Sequence, residues 1–191
     1  MAVHLTRIYT RTGDDGTSGL GDFTRVAKTD PRLVAYADVD EANCAIGVAL
    51  ALGSLDQRLV TVLRQVQNDL FDVGADLCTP ITQDPKYPPL RIDESYVTRL
   101  EGWCDEFNAP LPTLNSFILP GGTPGAALLH TARVVTRRAE RNTWALLAVD
   151  EQRTNVLTAR YLNRLSDLLF ILCRVANPDG DVLWKPGAAR S

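Results

Sequence analysis

The sequence predicts an all-α fold, an antiparallel bundle of four or five long helices, for three reasons. Apolar residues recur at three- and four-residue spacings over long segments. No convincing two-residue alternation appears outside short pieces such as 116–119. Proline, glycine and capping residues separate the periodic segments. A chain of 191 residues that is 45% hydrophobic suits one globular domain, divided into an N-terminal loop (1–29), a helical bundle (30–177) and a C-terminal tail (178–191).

The first segment, over 7–29, is rich in threonine, glycine and aspartate and lacks sustained apolar periodicity. This composition predicts an ordered loop, or a loop ordered by a ligand, rather than a helix. The first helix then begins after Asp30, which caps it and is followed by Pro31 at the first helical position. Its apolar and small residues continue to Leu52, and the helix ends near Gly53.

Four further segments have helical patterns. The second helix runs from about Leu55 to Cys78, because apolar residues fall on one face. These residues are Leu59, Val62, Leu63, Val66, Leu70 and Val73. A third helix is predicted over 93–108 with an aspartate cap. A fourth, over 124–148, opens with a Thr-Pro pair, and the last, over 151–176, stops before an Asn-Pro pair.

Charge and targeting signals exclude several functional classes. With a net charge of -3, the overall field attracts neither nucleic acid nor an anionic membrane, so an anion has to be held by a local cluster. A signal-peptide pattern is missing, and no apolar run approaches the roughly 18 residues that span a bilayer, which predicts a cytoplasmic protein. The cysteines lie far apart without a C-x-x-C pair, so neither a zinc site nor a disulfide framework is predicted: they are Cys44, Cys78, Cys104 and Cys173.

A row of arginines on the fourth helix is the first candidate binding site. Arg133, Arg137 and Arg141 are four residues apart and lie along one stripe of the helix, whereas Arg138 and Glu140 face neighbouring directions. Several planar guanidinium groups on one stripe can bind a polyphosphate through bidentate, charge-assisted hydrogen bonds. The alternative is a solvated surface stripe that pairs with acidic residues, and the segment alone favours neither.

The N-terminal segment TRTGDDGTSGL is the second candidate. Its hydroxyls, its Arg11 and its conformationally free glycines suit a loop folded round phosphate oxygens. Neither a P-loop nor a dinucleotide fingerprint is present, and by composition an ordinary loop is the more frequent structure. Asp14 and Asp15 either hold Mg²⁺ against the phosphates or merely end turns.

Two other polar features have both structural and functional interpretations. The stretch LPGGTPG meets a helix N-terminus, which attracts anions, but helix capping already explains Gly121 to Gly125. Asn163 and Asp167 share a face of the last helix and are placed to reach a ribose or a facing arginine. A buried, satisfied polar pair is the alternative for these two residues.

In order and spacing, the segments IYTRTGDDGTSGL, YADVDEAN, FILPGG, RRAER and YLNRLSDLLF, together with Lys28, resemble the PduO-type ATP:cob(I)alamin adenosyltransferases. The match covers most of the chain. The combination of the T-x-T-G-D-x-G start, RRAER with an arginine four residues before it, and N-R-L-S-D is highly specific. The resemblance implies a five-helix bundle assembled as a homotrimer, with ATP held at the subunit interfaces.

Carried over by motif position, the resemblance implies an extended nucleotide site. The N-terminal loop wraps the triphosphate, the RRAER segment binds the nucleotide, and the last helix contacts and supports the site. The implied residues are Thr10, Arg11, Thr12, Gly13, Asp14, Asp15, Gly16, Thr17, Ser18, Lys28, Arg137, Arg138, Ala139, Glu140, Arg141, Asn142, Asn163 and Asp167.

The resemblance also implies three residues around the reacting centre. Arg133 pairs with Asp40 of a neighbouring subunit, and Phe117 lies beside the corrin ring and excludes a lower axial ligand. The family usually has lysine where this chain has Arg11; arginine keeps the charge but changes the hydrogen-bond geometry.

The implied reaction is attack of cob(I)alamin on C5′ of ATP, with release of triphosphate. Cobalt is the nucleophile, which fits a sequence without a recognisable catalytic triad. Arg137, Arg138, Lys28 and Mg²⁺ are expected to stabilise the triphosphate. A cellular reductase is expected to supply electrons, and an adenosylcobalamin-dependent mutase is a candidate client. The alternatives are a noncatalytic ATP sensor or adenosylcobalamin carrier, and a purely structural oligomer.

Overall fold

The computed structural model describes residues 9–85 and 87–187, and within them five long helices carry the fold. A 3-10 turn at Glu151–Arg153 joins the last two helices. The prediction of a mostly helical bundle is confirmed, with ends that differ from the expected ones by a few residues. The helices are α1 (Pro31–Leu52), α2 (Gln57–Cys78), α3 (Glu94–Asn108), α4 (Pro124–Asp150) and α5 (Val156–Val175).

The N-terminal segment contains the one departure from an all-α fold in the described residues. Strands β1 (Thr17–Gly19) and β2 (Arg25–Ala27) pair antiparallel, with Ser18 opposite Val26. The Leu20 N–H donates to the Thr24 carbonyl at 2.8 Å and closes the connection. Three-residue strands are too short to show a period-two pattern, so the sequence predicted only a loop here.

Capping residues set the helix starts. Asp30 accepts from the Arg32 N–H at 2.8 Å, and Thr123 accepts from the Ala126 N–H at 3.1 Å, as the sequence predicted. α5 begins at Val156 rather than 151, because Asn155 is its cap.

Polar contacts between helices fix their directions. Arg32 near the start of α1 binds Asp150 at the end of α4, so α1 and α4 run antiparallel, and the short connection makes α1 and α2 antiparallel as well. Thr123 at the start of α4 donates to the Ala176 carbonyl at the end of α5 at 2.7 Å, so these two helices are also antiparallel.

The relative direction of α3 and α5 follows from contacts at both of their ends. The Ile92 carbonyl, before α3, accepts from Asn155 at the start of α5, whereas Pro112, after α3, accepts from Arg174 at the end of α5. The two helices therefore run parallel. In an up-and-down chain the third and fifth helices point the same way, and here they pack side by side.

The core is mostly aliphatic, and several of its buried charged groups are paired. The Asp69 carboxylate is 1% exposed and accepts from both Arg99 and the buried hydroxyl of Tyr161. At the end of the bundle beside the N-terminal segment, Arg32 binds the Leu77 carbonyl. These paired buried charges fix the positions of the helices relative to one another. Among the described residues, no helix has the length and apolarity needed to cross a membrane.

Candidate functional site

Part of the predicted nucleotide site forms a groove between α4 and α5. The groove has a volume of about 380 Å³. Within the described parts of the chain, Arg137 and Arg141 have no ion-pair or hydrogen-bond partner, and both side chains are exposed. We call this surface the arginine groove; it is lined by Val134, Arg137, Glu140, Arg141 and Asn163. It presents two uncompensated guanidinium groups to solvent and is suited to a polyphosphate.

The other residues of the RRAER segment face elsewhere. Arg138 binds Asp38 and Glu41 on α1, and the hydrogen bond that it donates to Glu41 raises the pKa of Arg138. Asn142 also donates to Asp38, and Ala139 is completely buried. Arg138 and Asn142 therefore join α4 to α1, Ala139 lies in the core, and none of these three predicted nucleotide residues lines the groove of its own chain.

On α5, Asn163 and Asp167 are both exposed, so the alternative of a buried polar pair is wrong. The Asn163 amide donates to Glu140 at 3.0 Å, which fixes the position of that carboxylate at the floor of the groove. Asp167 lies one turn further along and accepts from Arg164 at 2.6 Å. Arg164, which the sequence interpretation did not single out, also binds Glu101 of α3.

The N-terminal loop and strands form a compact hairpin over 10–28, which we call the N-terminal hairpin. A Cβ at Gly13 would lie 3.2 Å from the Lys28 ammonium, so glycine lets this cation lie against the loop. Gly16 has a φ of +80° and Arg11 a φ of +62°, and the Lys28 N–H donates to the Gly16 carbonyl at 2.9 Å. The left-handed positions curl the segment around the cation.

Arg25 organises the hairpin, although the sequence interpretation did not include it. Its guanidinium donates to the Thr12 carbonyl and to the Thr17 hydroxyl, and lies 3.7 Å from the Asp15 carboxylate. Hydrogen bonds from the Thr17 side chain and backbone lower the pKa of Asp15. Arg25 lies in β2, eight residues from Thr17 in sequence, so its role becomes apparent only when the two strands pair.

Asp14 and Asp15 are the acidic residues of the hairpin that the sequence suggested for Mg²⁺. No cluster of three or more histidine, cysteine or acidic side chains suited to a metal ion occurs in residues 9–85 and 87–187. Asp15 is engaged by Thr17, whereas the Asp14 carboxylate has no partner in that described part of the chain. Asp14 therefore fits a Mg²⁺ ion that arrives on a triphosphate and keeps most of its water ligands.

Within one chain the hairpin and the arginine groove are separate. The Gly21 N–H donates to the Cys78 carbonyl at 2.9 Å, and Asp22 lies 3.6 Å from Arg153, so the hairpin sits at the end of α2 and beside the α4–α5 turn. Arg137 lies thirteen residues before Asp150 on α4, or about 20 Å along the helix. Among the described residues, no hydrogen bond or ion pair joins the two surfaces.

A second groove lies between α1 and α2 and includes Asp40. It has a volume of about 460 Å³ and an apolar lining that includes Phe71, which is 71% exposed. Asp40 has no ion-pair partner among the described residues of its own chain. The Arg133 guanidinium lies over the Phe170 ring at 5.9 Å, and its buried Nε has no acceptor there either. The predicted pair of Arg133 and Asp40 is thus not formed within one chain.

Phe117 lies at the opposite end of the bundle from the hairpin. It belongs to the α3–α4 connection and is 79% exposed. Its ring packs edge-on against Trp184 of the C-terminal tail, with centroids 6.2 Å apart. Along α4, His130 and Arg133 continue from this end toward the arginine groove, and both contact Phe170.

The glycines at the start of α4 have a structural role. Gly122 has a φ of +96°, and a Cβ there would come within 2.5 Å of Asn177. Thr123 caps the helix and binds the end of α5. Capping and close packing account for this stretch, as the structural interpretation predicted.

Comparison with known proteins gives consistent matches. The family model for cobalamin adenosyltransferase matches residues 8–176. The chain is 70% identical over 191 residues to a corrinoid adenosyltransferase of Mycobacterium tuberculosis, covering all of this chain and 99% of that protein. It is 46% identical over 188 residues to a cobalamin adenosyltransferase of Cupriavidus metallidurans, covering 97% of each chain.

Solved structures agree with these matches. A variant PduO-type ATP:corrinoid adenosyltransferase from Lactobacillus reuteri, complexed with cobalamin and ATP, superposes with a TM-score of 0.87 at 36% identity. The match covers 94% of this chain and 97% of that one. A second variant from the same organism, complexed with ATP, gives a TM-score of 0.82 at 35% identity and covers 93% and 100% of the two chains.

Proposed function

The chain belongs to the cobalamin adenosyltransferase family, and from that premise we propose how its residues adenosylate a corrinoid. The reaction transfers the 5′-deoxyadenosyl group of ATP to cob(I)alamin. The cobalt electron pair forms the Co–C5′ bond while the C5′–O bond breaks, and triphosphate leaves with the electrons of that bond. The protein has to align cobalt with C5′ and stabilise charge on triphosphate.

The arginine groove holds the nucleotide. The observation that carries this assignment is the pair of exposed, unpaired guanidinium groups of Arg137 and Arg141 beside Asn163. Arg137 stabilises the triphosphate charge as it develops, and Arg141 and Asn163 position the nucleotide. Arg138, Ala139 and Asn142 support the groove from behind by fixing α4 to α1, and Glu140 orients Asn163.

The N-terminal hairpin of a neighbouring copy completes the site in a homotrimer. Ser18 of the hairpin lies near the Tyr36 hydroxyl, Tyr36 lies one turn from Asp40 on α1, and Arg133 lies one turn from Arg137 on α4. Pairing of Asp40 with Arg133 of the next copy therefore carries the hairpin toward that copy's Arg137. The exposed apolar groove around Phe71 becomes buried by the same docking.

Thr10 to Ser18 and Lys28 then wrap the triphosphate. Lys28 contributes its ammonium, the glycines allow close approach, and Arg11 supplies a second cation. Mg²⁺ binds the phosphates with Asp14 beside it. Phe117 lies against the corrin ring and keeps the lower ligand away, which makes reduction of cob(II)alamin easier. Asp167 restrains Arg164 at the edge of the groove.

The remaining partners follow from the chemistry. Cob(II)alamin has to be reduced before it attacks carbon, so a cellular reductase supplies the electron. We propose an adenosylcobalamin-dependent mutase as a client that would take up the product, and the cytoplasm as the compartment in which these partners meet. The whole chain acts as one domain, and its hairpin and its C-terminal tail lie at opposite ends of the bundle. A noncatalytic ATP sensor or carrier would bind the same ligands and form no product.

An assay with chemically reduced cob(I)alamin and Mg-ATP tests the groove. The wild type forms adenosylcobalamin and triphosphate in equal amounts. Arg137→Ala lowers the rate by about 100-fold or more, because a charge contact at the leaving group is lost. The matched control, Arg58→Ala, removes an arginine from an exposed ion pair on α2 and keeps the wild-type rate. Equal rates in Arg137→Ala and the control would refute the assignment.

A further inference from the structure

Arg174 joins three separate segments at the Phe117 end of the bundle. It lies in the last turn of α5, and its side chain is only 6% exposed. Its Nε donates to the Asp181 carboxylate at 2.8 Å, and its Nη2 donates to the Pro112 carbonyl at 2.7 Å. One guanidinium thus connects α5, the C-terminal tail and the α3–α4 connection.

Beyond these two anchor points the connection and the tail pair with each other. The Trp184 N–H donates to the Phe117 carbonyl at 2.7 Å, and the Leu119 N–H donates to the Val182 carbonyl at 2.8 Å. The Ser116 hydroxyl also donates to the Trp184 carbonyl at 2.9 Å. We call the two paired segments, 116–119 and 182–184, the arms. Asp181 comes three residues before Trp184, and Pro112 five residues before Phe117, so the guanidinium lies just before both arms in sequence.

The paired arms cannot hold their own conformation. They share a single antiparallel bridge, between Ile118 and Leu183, and an isolated two-stranded pair is marginal in water. Their large apolar side chains are exposed, with Phe117 at 79% and Trp184 at 41%, so little burial stabilises them. The buried contacts of Arg174 therefore constrain where the Phe117 ring stands, in addition to the contacts that Gly122 and Thr123 make at the end of α5.

We propose that Arg174 is a positioning residue for the corrinoid, which acts through Asp181 and Pro112 to hold the Phe117 ring in place. The inference rests on the proposed role of Phe117 beside the corrin ring. Arginine suits this position because its rigid fork binds a carboxylate and a carbonyl in different directions. Lysine keeps the charge but offers a single nitrogen, so it cannot make both contacts in the same geometry.

The test compares two substrates in Arg174→Lys and in Asp181→Asn, a second variant that removes the charge from the other side of the pair. One assay supplies cob(I)alamin directly; the other supplies cob(II)alamin with a reduced flavin. We expect the rate from cob(II)alamin to fall about tenfold or more in each variant, with the cob(I)alamin rate reduced less than about threefold. Arg58→Lys, at an exposed ion pair with Glu106 that contacts neither arm, serves as the control.

Two further readouts separate positioning from a loss of folding. The axial nitrogen of the lower ligand adds a further splitting to the cobalt hyperfine lines in the electron paramagnetic resonance spectrum of Co(II). The fraction of the signal that lacks this nitrogen splitting, which we call the unsplit fraction, measures ligand removal in the presence of Mg-ATP. We expect that fraction to fall in Arg174→Lys. In a Phe117→Ala background, Arg174→Lys should change the cob(II)alamin rate by less than about twofold, because two residues acting through one contact are not additive.

Each outcome decides the proposal. Equal loss of both rates in the Arg174 and Asp181 variants, an unchanged unsplit fraction, or multiplicative losses with Phe117→Ala would overturn the role of Arg174. Failure of the wild type to form adenosylcobalamin from cob(I)alamin would instead overturn the proposed function. If Arg174→Lys fails to fold, Asp181→Asn with the same three readouts decides alone.

Discussion

Neighbouring arginines on α4 have different electrostatic environments. Arg138 is neutralised by Asp38 and Glu41, whereas Arg137 and Arg141 are uncompensated in the described part of the chain. A charge that is already paired offers little to a triphosphate, since an anion has to compete with its carboxylates. The proposed contacts with the nucleotide are therefore concentrated in residues that share one stripe of the helix.

His130 gives a residue-scale prediction about pH. Burial, and next the positive charge of Arg133, lower the pKa of His130 from its ordinary value of 6.5, while Asp181 opposes the shift. The unfolded chain therefore binds more protons than the folded one below about pH 6.5. The contribution of the neutral His130 imidazole to the free energy of unfolding is intact above that pH, and it is lost as the pH falls through the pKa of His130 in the folded protein.

Urea unfolding at several pH values between 7.5 and 5 checks this linkage. We expect the free energy of unfolding to fall less steeply in His130→Gln than in the wild type, because the variant lacks this titrating group. Identical pH dependence in the two proteins would show that His130 does not couple protonation to folding.

At the scale of elements, the helices were predictable and the hairpin was not. Local signals such as the Asp30-Pro31 and Thr123-Pro124 pairs fix where a helix begins, because cap and first-turn geometry are set by neighbouring residues. The hairpin depends on contacts between distant residues, among them Arg25 with Thr12 and Thr17. Its three-residue strands have no pattern of their own to detect.

Thr123 provides a prediction for a single element. Its hydroxyl caps α4 and also donates to the Ala176 carbonyl at the end of α5. Thr123→Ala should lower the free energy of unfolding by about 1–2 kcal/mol, because the cap and the link between two helix ends are lost together. Thermal and urea unfolding measure the change.

Thr131→Ala is the matched control for the cap. Thr131 is an exposed threonine of the same helix, and its hydroxyl donates only to the Ala127 carbonyl within the helix. We expect a change within about 0.5 kcal/mol. A loss in Thr131→Ala as large as in Thr123→Ala would contradict a specific capping role.

At the scale of the whole molecule, the site is divided between two surfaces of one chain. Motifs in the sequence identified the residues of both surfaces, but spacing along a chain cannot show which copies meet. The structure leaves Asp40 and Arg133 without ion-pair partners among the described residues of one chain, and separates the hairpin from the arginine groove. We propose that burial of charge pairs and apolar surface between copies accounts for both features.

The division of the site has a direct consequence for mixed assemblies. Lys28→Ala damages the hairpin and Arg137→Ala damages the groove, so each variant alone should be inactive. If every site uses the hairpin of one copy and the groove of the next, random mixing of equal amounts leaves both halves intact at about one interface in four. A site confined to one chain leaves no intact site in the mixture.

The most direct test is therefore to unfold the two variants together, refold them at equal concentration and measure the rate of adenosylcobalamin formation. Each variant refolded alone is the control. The account predicts recovery of about a quarter of the wild-type rate in the mixture and none in the controls. A mixture as inactive as its components, with trimers of normal stability, would contradict a site shared between copies.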